Sequence, residues 1–299
     1  MLTVRLHGSP RRTFPLHGGM IQLWGVRESY RVRGNCLLAS GEETRGYDPM
    51  AEPELPIQLA LVNEAKLSPK QFASKFGLLG YDQLLWLASG RIGTPSGDPL
   101  DWFKAHARTV FHAMELLTAL AEDDMTALTE VVTHLPEAPY GFLSKTETLD
   151  YSWLSDSLRF AVKQHQRMGT GVKLFEIVKA QTKTILSHWI NRNIAQVRRE
   201  LLLRSDRRAE SIFRFDALIE CIYWHLANRL EQGGLHRCHQ CRRFFFSRDP
   251  RLKFCPPPKG VKRSRCASLF HVSKHRQRNK NTTEGSVSDE KRARNLGSH

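Results

Sequence analysis

The sequence predicts a mainly α-helical protein with a short β-rich N-terminal region and a small C-terminal module held by cysteines. Three observations lead there. Apolar residues recur at helical spacing through the middle of the chain, short alternating stretches broken by Gly, Pro and Asn fill residues 1–47, and four of the six cysteines crowd into 29 residues, Cys238 to Cys266. A chain of 299 residues is long enough for two domains, or for one large domain with an appendage. Its 40% apolar and 25% charged content is that of an ordinary folded protein and excludes collagen-like, low-complexity and wholly disordered readings.

No stretch approaches the roughly 18 to 20 uncharged apolar residues of a membrane-spanning helix, so no membrane association is expected. The first 27 residues hold no acid and include Arg5, Arg11 and Arg12, but they lack the continuous apolar core of a secretory signal. A cytoplasmic location is the expectation.

Taken in order, Thr3-Val4-Arg5-Leu6 and Tyr30-Arg31-Val32-Arg33 alternate as half-buried strands do, which makes residues 1–50 the β-rich region. Acidic, proline-rich Asp48 to Pro56 marks the change to a helical domain over 51–234. Ser68-Pro69 is an N-cap with proline at the first helical position, Asp98-Pro99 starts a long helix, and Asp123 opens another toward His134. A linker is expected between Pro136 and Tyr151, and further helices from Tyr151 to Arg204, broken near Gly169 and Gly171. Phe215, Leu218, Ile219, Ile222, Leu226 and Leu230 form a helical stripe that ends at Gly233-Gly234.

The chain holds no H-E-x-x-H, G-x-S-x-G, Rossmann or Walker motif, so it does not read as an enzyme. Asp123-Asp124 read as a cap, and His134, His165, His188 and His225 as ordinary surface or core histidines. Cys36 and Cys221 stand alone and read as core filling.

Charge singles out the C-terminal stretch. Of the formal net charge of +15, residues 236–299 supply +13, from 17 Lys and Arg against four Asp and Glu. A block of this sign and density neutralises phosphates well, releasing counterions from a nucleic acid. Within it the cysteines follow C-x2-C-x13-C-x10-C, and the pair Cys238-His239-Gln240-Cys241 has the spacing that turns two thiolates toward one tetrahedral ion. Disulfides would need an oxidising compartment, so the expected cofactor is Zn2+, with Cys238, Cys241, Cys255 and Cys266 as ligands. His239, His271 and His275 are substitutes for the fourth ligand, because ten residues separate Cys255 from Cys266, more than in compact fingers.

Between the ligands, β-prone Arg242 to Phe246, the turn Ser247-Arg248-Asp249-Pro250 and returning Leu252-Lys253-Phe254 suggest a hairpin. Ala267 to Arg278 contains no Gly or Pro and suggests a helix. A knuckle, a hairpin and a helix carrying the last ligand make a treble-clef-like zinc module over 235–281, too short to hold itself together by burial alone. Residues 282–299 have the composition of a disordered tail.

Two basic arms flank the metal site. Lys259, Lys262, Arg263 and Arg265 follow the stiff Pro256-Pro257-Pro258, and Lys274, Arg276, Arg278 and Lys280 lie on the helix, all candidate nucleic-acid contacts. Phe244, Phe245 and Phe246 read as the miniature core of the site before a base-stacking platform.

The helix Phe215 to Glu231 leading into Cys238-x2-Cys241-Arg-Arg-Phe-Phe-Phe, then Phe254-Cys255 and Cys266 before a basic helix, resembles bacterial proteins that join a helical domain to a C-terminal CGNR-type zinc finger. Phe72 to Gly80 adds to the likeness, while Ala267-Ser268-Leu269 stands where that family has Gly-Asn-Arg after its last cysteine. The resemblance implies a transcription regulator with a metal-held DNA-binding module. Charge and cysteines together point to zinc-dependent binding of nucleic acid, duplex DNA first. The rivals are a zinc-stabilised protein-interaction adaptor and, on the faint His271-x3-His275-x3-Asn279 spacing, a metal-dependent nuclease. A helical body is also compatible with a homodimer and with a small-molecule effector.

Overall fold

The computed structural model describes residues 13–16, 19–82, 97–123, 126, 128, 160, 163, 167, 172–195, 197–203, 209–232, 234–249, 251–258 and 260–277. The expected strand Thr3–Leu6, the linker 136–151, His134, His165 and the tail 282–299 lie outside these. The chain divides into two units, Met1–Gly233 and Gly234–His299.

The first unit opens with two antiparallel pairs, β1 (Thr13–Leu16) with β2 (Gly19–Gln22) and β3 (Trp24–Arg33) with β4 (Cys36–Tyr47). Tyr30–Arg33 lies in β3 as its alternation predicts, and Trp24, Val26 and Tyr30 turn inward. A short β5 (Asp98–Pro99) joins the free side of β4, completing a three-stranded sheet. Long-range bonds tie the hairpin to the helical part, among them Trp24 Nε1 donating to the Leu78 carbonyl (3.2 Å), the Tyr47 hydroxyl to that of Phe76 (2.9 Å) and the Asn35 side-chain amide to the Asp101 carboxylate (2.7 Å).

Helices follow. α1 (Leu55–Asn63) is apolar on nearly every side and buries Leu55, Pro56, Ile57, Leu59, Ala60 and Val62. α2 (Pro69–Phe76) starts as the sequence indicates, with a capping box in which the Ser68 hydroxyl accepts from the Gln71 amide and the Gln71 side chain accepts from the Ser68 amide. α3 (Leu100–Glu122) packs on α1, and its Phe103 meets Phe72 of α2 edge-on at 5.6 Å. α4 (Val172–Asn193) and α5 (Leu218–Gln232) pack on each other, and the stripe residues Leu218, Ile219, Ile222 and Leu226 of α5 are buried.

Two local expectations change, at Asp98 and at residues 198–203. Asp98 does not cap α3; its buried carboxylate accepts the amides of Leu79 (2.5 Å), Tyr81 (2.9 Å) and Gly80 (3.2 Å), because strand pairing of 98–99 with β4 points it there. Asp123 closes α3, left-handed at φ 56° with its amide bonded back to Ala119 and its carboxylate paired with Lys179, and Thr126 and Leu128 just beyond it are helical, in line with the helix expected there. Residues 198–203, expected to be helical, form strand β6 (Arg198–Leu203) against β7 (Ala209–Arg214). The residues between them, Arg204 to Arg208, include the turn-prone Ser205-Asp206, so two β-capable runs face each other. Arg214 and Glu200 form an ion pair across the strands, and Arg198 pairs with Asp216 just past the end of β7 (3.3 Å).

The second unit begins with β8 (Leu235–Arg237) antiparallel to β9 (Phe244–Phe246), followed by a turn-rich segment and a helix, α6, over residues 265–277. The hairpin therefore differs from the expected one: Phe244–Phe246 pairs with the residues before Cys238, not with Leu252–Phe254. The reason is the Cys238–Cys241 turn, which reverses the chain and sets its own two flanks opposite each other. The Leu252–Phe254 segment instead crosses this turn and offers the Lys253 carbonyl to the His239 amide (3.0 Å).

Candidate metal centre

The C-x2-C turn builds the first half of the site. The Cys238 amide donates to the Arg243 carbonyl and the Arg242 amide to the Cys238 carbonyl, both at 2.9 Å, so the loop closes on itself. Arg242 takes a left-handed φ of 60°, which swings the chain out of the loop and into β9. At the base of the hairpin the Ser247 amide bonds to the Gly234 carbonyl (2.8 Å), and Gly234 has φ 84° with the Ser247 carbonyl 2.7 Å from where a Cβ would stand. Only glycine fits there. Phe244 and Phe245 are buried, Phe245 stacks on His236 at 5.5 Å, and the Arg237 guanidinium lies over Phe244 at 5.3 Å.

The second half comes from farther along the chain. Cys255 follows the crossing segment, and Cys266 stands at the second position of α6, where the Ser264 hydroxyl faces the Ala267 amide at 3.4 Å. Phe254 ties the two halves together, meeting His239 at 6.0 Å and Phe270 of α6 at 5.1 Å.

The thiols of Cys238, Cys241, Cys255 and Cys266 converge, with all four sulfurs within 4.8 Å of one another, and those of Cys241 and Cys255 3.4 Å apart. Four sulfurs at tetrahedral corners 2.3 Å from one ion stand about 3.8 Å apart, so this spacing fits a metal ion. His239, His271 and His275 are outside the converging group, and Cys266 supplies the fourth donor.

The electrostatics agree with the geometry. Burial opposes ionisation of Cys238, but hydrogen bonds from the amides of Cys241, Cys255 and Gln240 outweigh it and bring the thiol down to about 7. Burial and the neighbouring sulfurs of Cys241 and Cys238 push Cys255 and Cys266 upward. One thiolate forms readily and the next ones are resisted by it; a cation at the centre removes that resistance.

Of the predicted nucleic-acid contacts, Lys262, Arg263, Arg265, Lys274 and Arg276 are exposed in this unit, and Lys259, Arg278 and Lys280 lie outside the described residues. Exposed Arg242, Arg243, Arg248, Arg251 and Lys253 add to them, though Arg251 is occupied by Asp249 at 3.3 Å. Their signal in the sequence was the charge of the whole tail.

In the first unit, Cys221 is buried as expected, and His225 bonds to the Pro49 carbonyl through Nε2 (3.0 Å). No local motif in the sequence marks His106. It is buried on α3 with Nδ1 3.1 Å from the Tyr223 hydroxyl, and burial lowers it to about 3. An open hollow of about 440 Å³ is lined by Asn63, Ser68, Gln71, Lys104 and Arg108, among others. Among the described residues no helix is long and apolar enough to cross a membrane.

No protein-family model, curated protein or solved structure matches the chain.

Proposed function

We propose that the chain is a zinc-dependent nucleic-acid-binding protein, a DNA-binding regulator whose Gly234–His299 unit is a treble-clef-like zinc module. The observation that carries this reading is the convergence of four thiols inside the most basic part of the chain. Four soft donors with no water-bearing position suit a structural Zn2+. When bound, the ion supplies rigidity by joining the turn at Cys238–Cys241, the loop at Cys255 and the start of α6. The protein's own residues do the rest: amides hold the Cys238 sulfur, Phe254 packs beneath the helix, and Lys262, Arg263, Arg265, Lys274 and Arg276 stay free in solvent for phosphates.

The likeness to helical proteins with a C-terminal CGNR-type finger supports a regulatory role for the first unit. It rests on the arrangement of elements and on the cysteine pairs.

Fluorescence anisotropy of random-sequence duplex DNA across a salt series, with and without a zinc chelator, tests the proposal. If the five exposed cations named above each neutralise one phosphate, log affinity falls with log salt at a slope of about −4.5. Chelation abolishes the binding. Binding that survives chelation reduces the tail to unspecific charge, and no binding at low salt moves the module to a protein partner.

A further inference from the structure

The outer face of α6 combines two properties that phosphate binding alone does not require. Leu269 and Val272 are 47% and 49% exposed, although the helix has an inner side against Phe254 where aliphatic residues are ordinarily placed. At 100° per residue, Arg265, Leu269, Val272 and Arg276 fall within an arc of about 60°, roughly opposite Cys266, Ala267 and Phe270. All four are exposed, whereas the latter three are partly buried. The stripe is cationic at both ends and aliphatic in the middle, and Ser268 and Ser273, small and exposed, flank it.

The charge around this stripe selects the surface it meets. From residue 250 to residue 283 the sequence holds ten Lys and Arg and no Asp or Glu. The complementary surface is anionic at its margins and apolar at its centre. The major groove of duplex DNA has this character: phosphates wall it, and thymine methyl groups lie on its floor. The two arginines stand about 16 Å apart along the helix axis, enough for an oblique helix to reach both walls of a groove about 12 Å wide.

We infer that the stripe Arg265–Leu269–Val272–Arg276 enters the DNA major groove, with the arginines on opposing phosphate walls and Leu269 and Val272 against thymine methyls. The inference rests on the nucleic-acid reading above and adds a groove, an orientation and a base preference to it. It also excludes duplex RNA as the preferred ligand, since the deep, narrow A-form major groove does not admit side chains.

The test compares three labelled duplexes against the zinc-loaded full-length protein: an A·T-rich DNA, the same DNA with every thymine replaced by uracil, and the matching RNA. Uracil lacks only the methyl group. Two methyl contacts are expected to make the thymine duplex bind roughly fifteenfold tighter than the uracil duplex, with RNA weaker still. Leu269→Ala with Val272→Ala brings the thymine-to-uracil ratio close to one while zinc content stays unchanged. Equal binding of the two DNAs by the wild type, or a preference for RNA, overturns the inference and leaves nucleic-acid binding standing. Binding of none of the three at low salt removes the nucleic-acid reading itself and the inference with it. Sedimentation velocity of the double variant covers the other occupant: conversion of a dimer to a monomer makes the stripe a contact between copies and overturns groove insertion.

Discussion

At the scale of single residues, chemistry is decided by what surrounds each side chain. Asp98 shows this most clearly. Burial pushes its carboxyl from the ordinary 3.8 up to about 7, against the pull of three amide donors from Tyr81, Leu79 and Gly80. The folded protein therefore keeps a proton that the unfolded chain releases, and stability conferred by this group falls as pH rises from about 4 to 7, by up to about 1.4 kcal/mol per pH unit. Asp98→Asn removes one acceptor oxygen and turns an NH2 group toward amide donors, a loss of about 1–3 kcal/mol. In urea unfolding the gap between wild type and Asp98→Asn should be widest near pH 4 and narrow toward pH 7. A gap of constant width would mean that Asp98 does not titrate in that range.

The cysteines are the second case. Cys241→Ser leaves three thiols and a weaker donor beside sulfurs 3.4–4.8 Å apart in the wild type. Structural zinc contributes on the order of 10 kcal/mol to modules of this kind, so the variant should purify without stoichiometric metal and lose the near-ultraviolet signal of Phe244, Phe245 and Phe254. Full zinc occupancy in Cys241→Ser, measured by elemental analysis, would contradict the site. Spacing in the sequence was enough to name Cys238, Cys241 and Cys255, because a C-x2-C turn imposes its own local geometry, while Cys266 stood beside three histidines until the fold brought its sulfur to the others. Asp98 and His106 were not legible as buried groups, since their burial depends on Leu79–Tyr81 and Tyr223, distant in sequence.

At the scale of elements, turns decide where chains can approach. Gly77 closes α2 at φ 87°, and a Cβ there would lie 2.8 Å from both the Gly25 carbonyl and Trp24 Nε1. Gly34, in the turn of the β3–β4 hairpin, has φ 57° and open space around it. Gly34→Ala should therefore cost only about 1 kcal/mol of backbone strain, while Gly77→Ala adds a clash that forces the hairpin from α2 and costs several times as much. Thermal unfolding of the two variants checks the difference in a single experiment; equal losses would show that the hairpin yields freely. The helices with strong end signals were readable, as the capping box at Ser68 and the stripe on α5 show. The ribbon Arg198–Leu203 with Ala209–Arg214 was not: Leu201-Leu202-Leu203 suits either period, and partner residues decide it. Its Phe213 meets Trp224 of α5 at 4.3 Å, a contact that no local pattern announces.

At the scale of the molecule, the two units draw stability from different sources. The first has a core of helices around Phe72, Phe103, Met114 and Ile222, all fully buried. The second is small, and among its described residues only Leu235, Cys238, Phe244 and Phe245 are buried. A metal-dependent second unit predicts that chelation exposes the backbone after Gly234 to proteases while a core ending near Gly233 persists. Mass spectrometry of a limited digest reads this directly. Equal resistance of both units to chelated digestion would show that the second holds together without the ion.

The sequence by itself determined the β-rich start, the run of helices, the cysteine quartet and the concentration of charge, because each rests on residue type and short-range spacing. It left the fourth ligand open among one cysteine and three histidines. Only the tertiary structure brought Cys266 to the other three sulfurs, paired β8 with β9 across the turn, and buried Asp98 against the Leu79–Tyr81 amides. Those outcomes depend on which distant surfaces exclude water together, a property of the packed chain that local patterns do not carry.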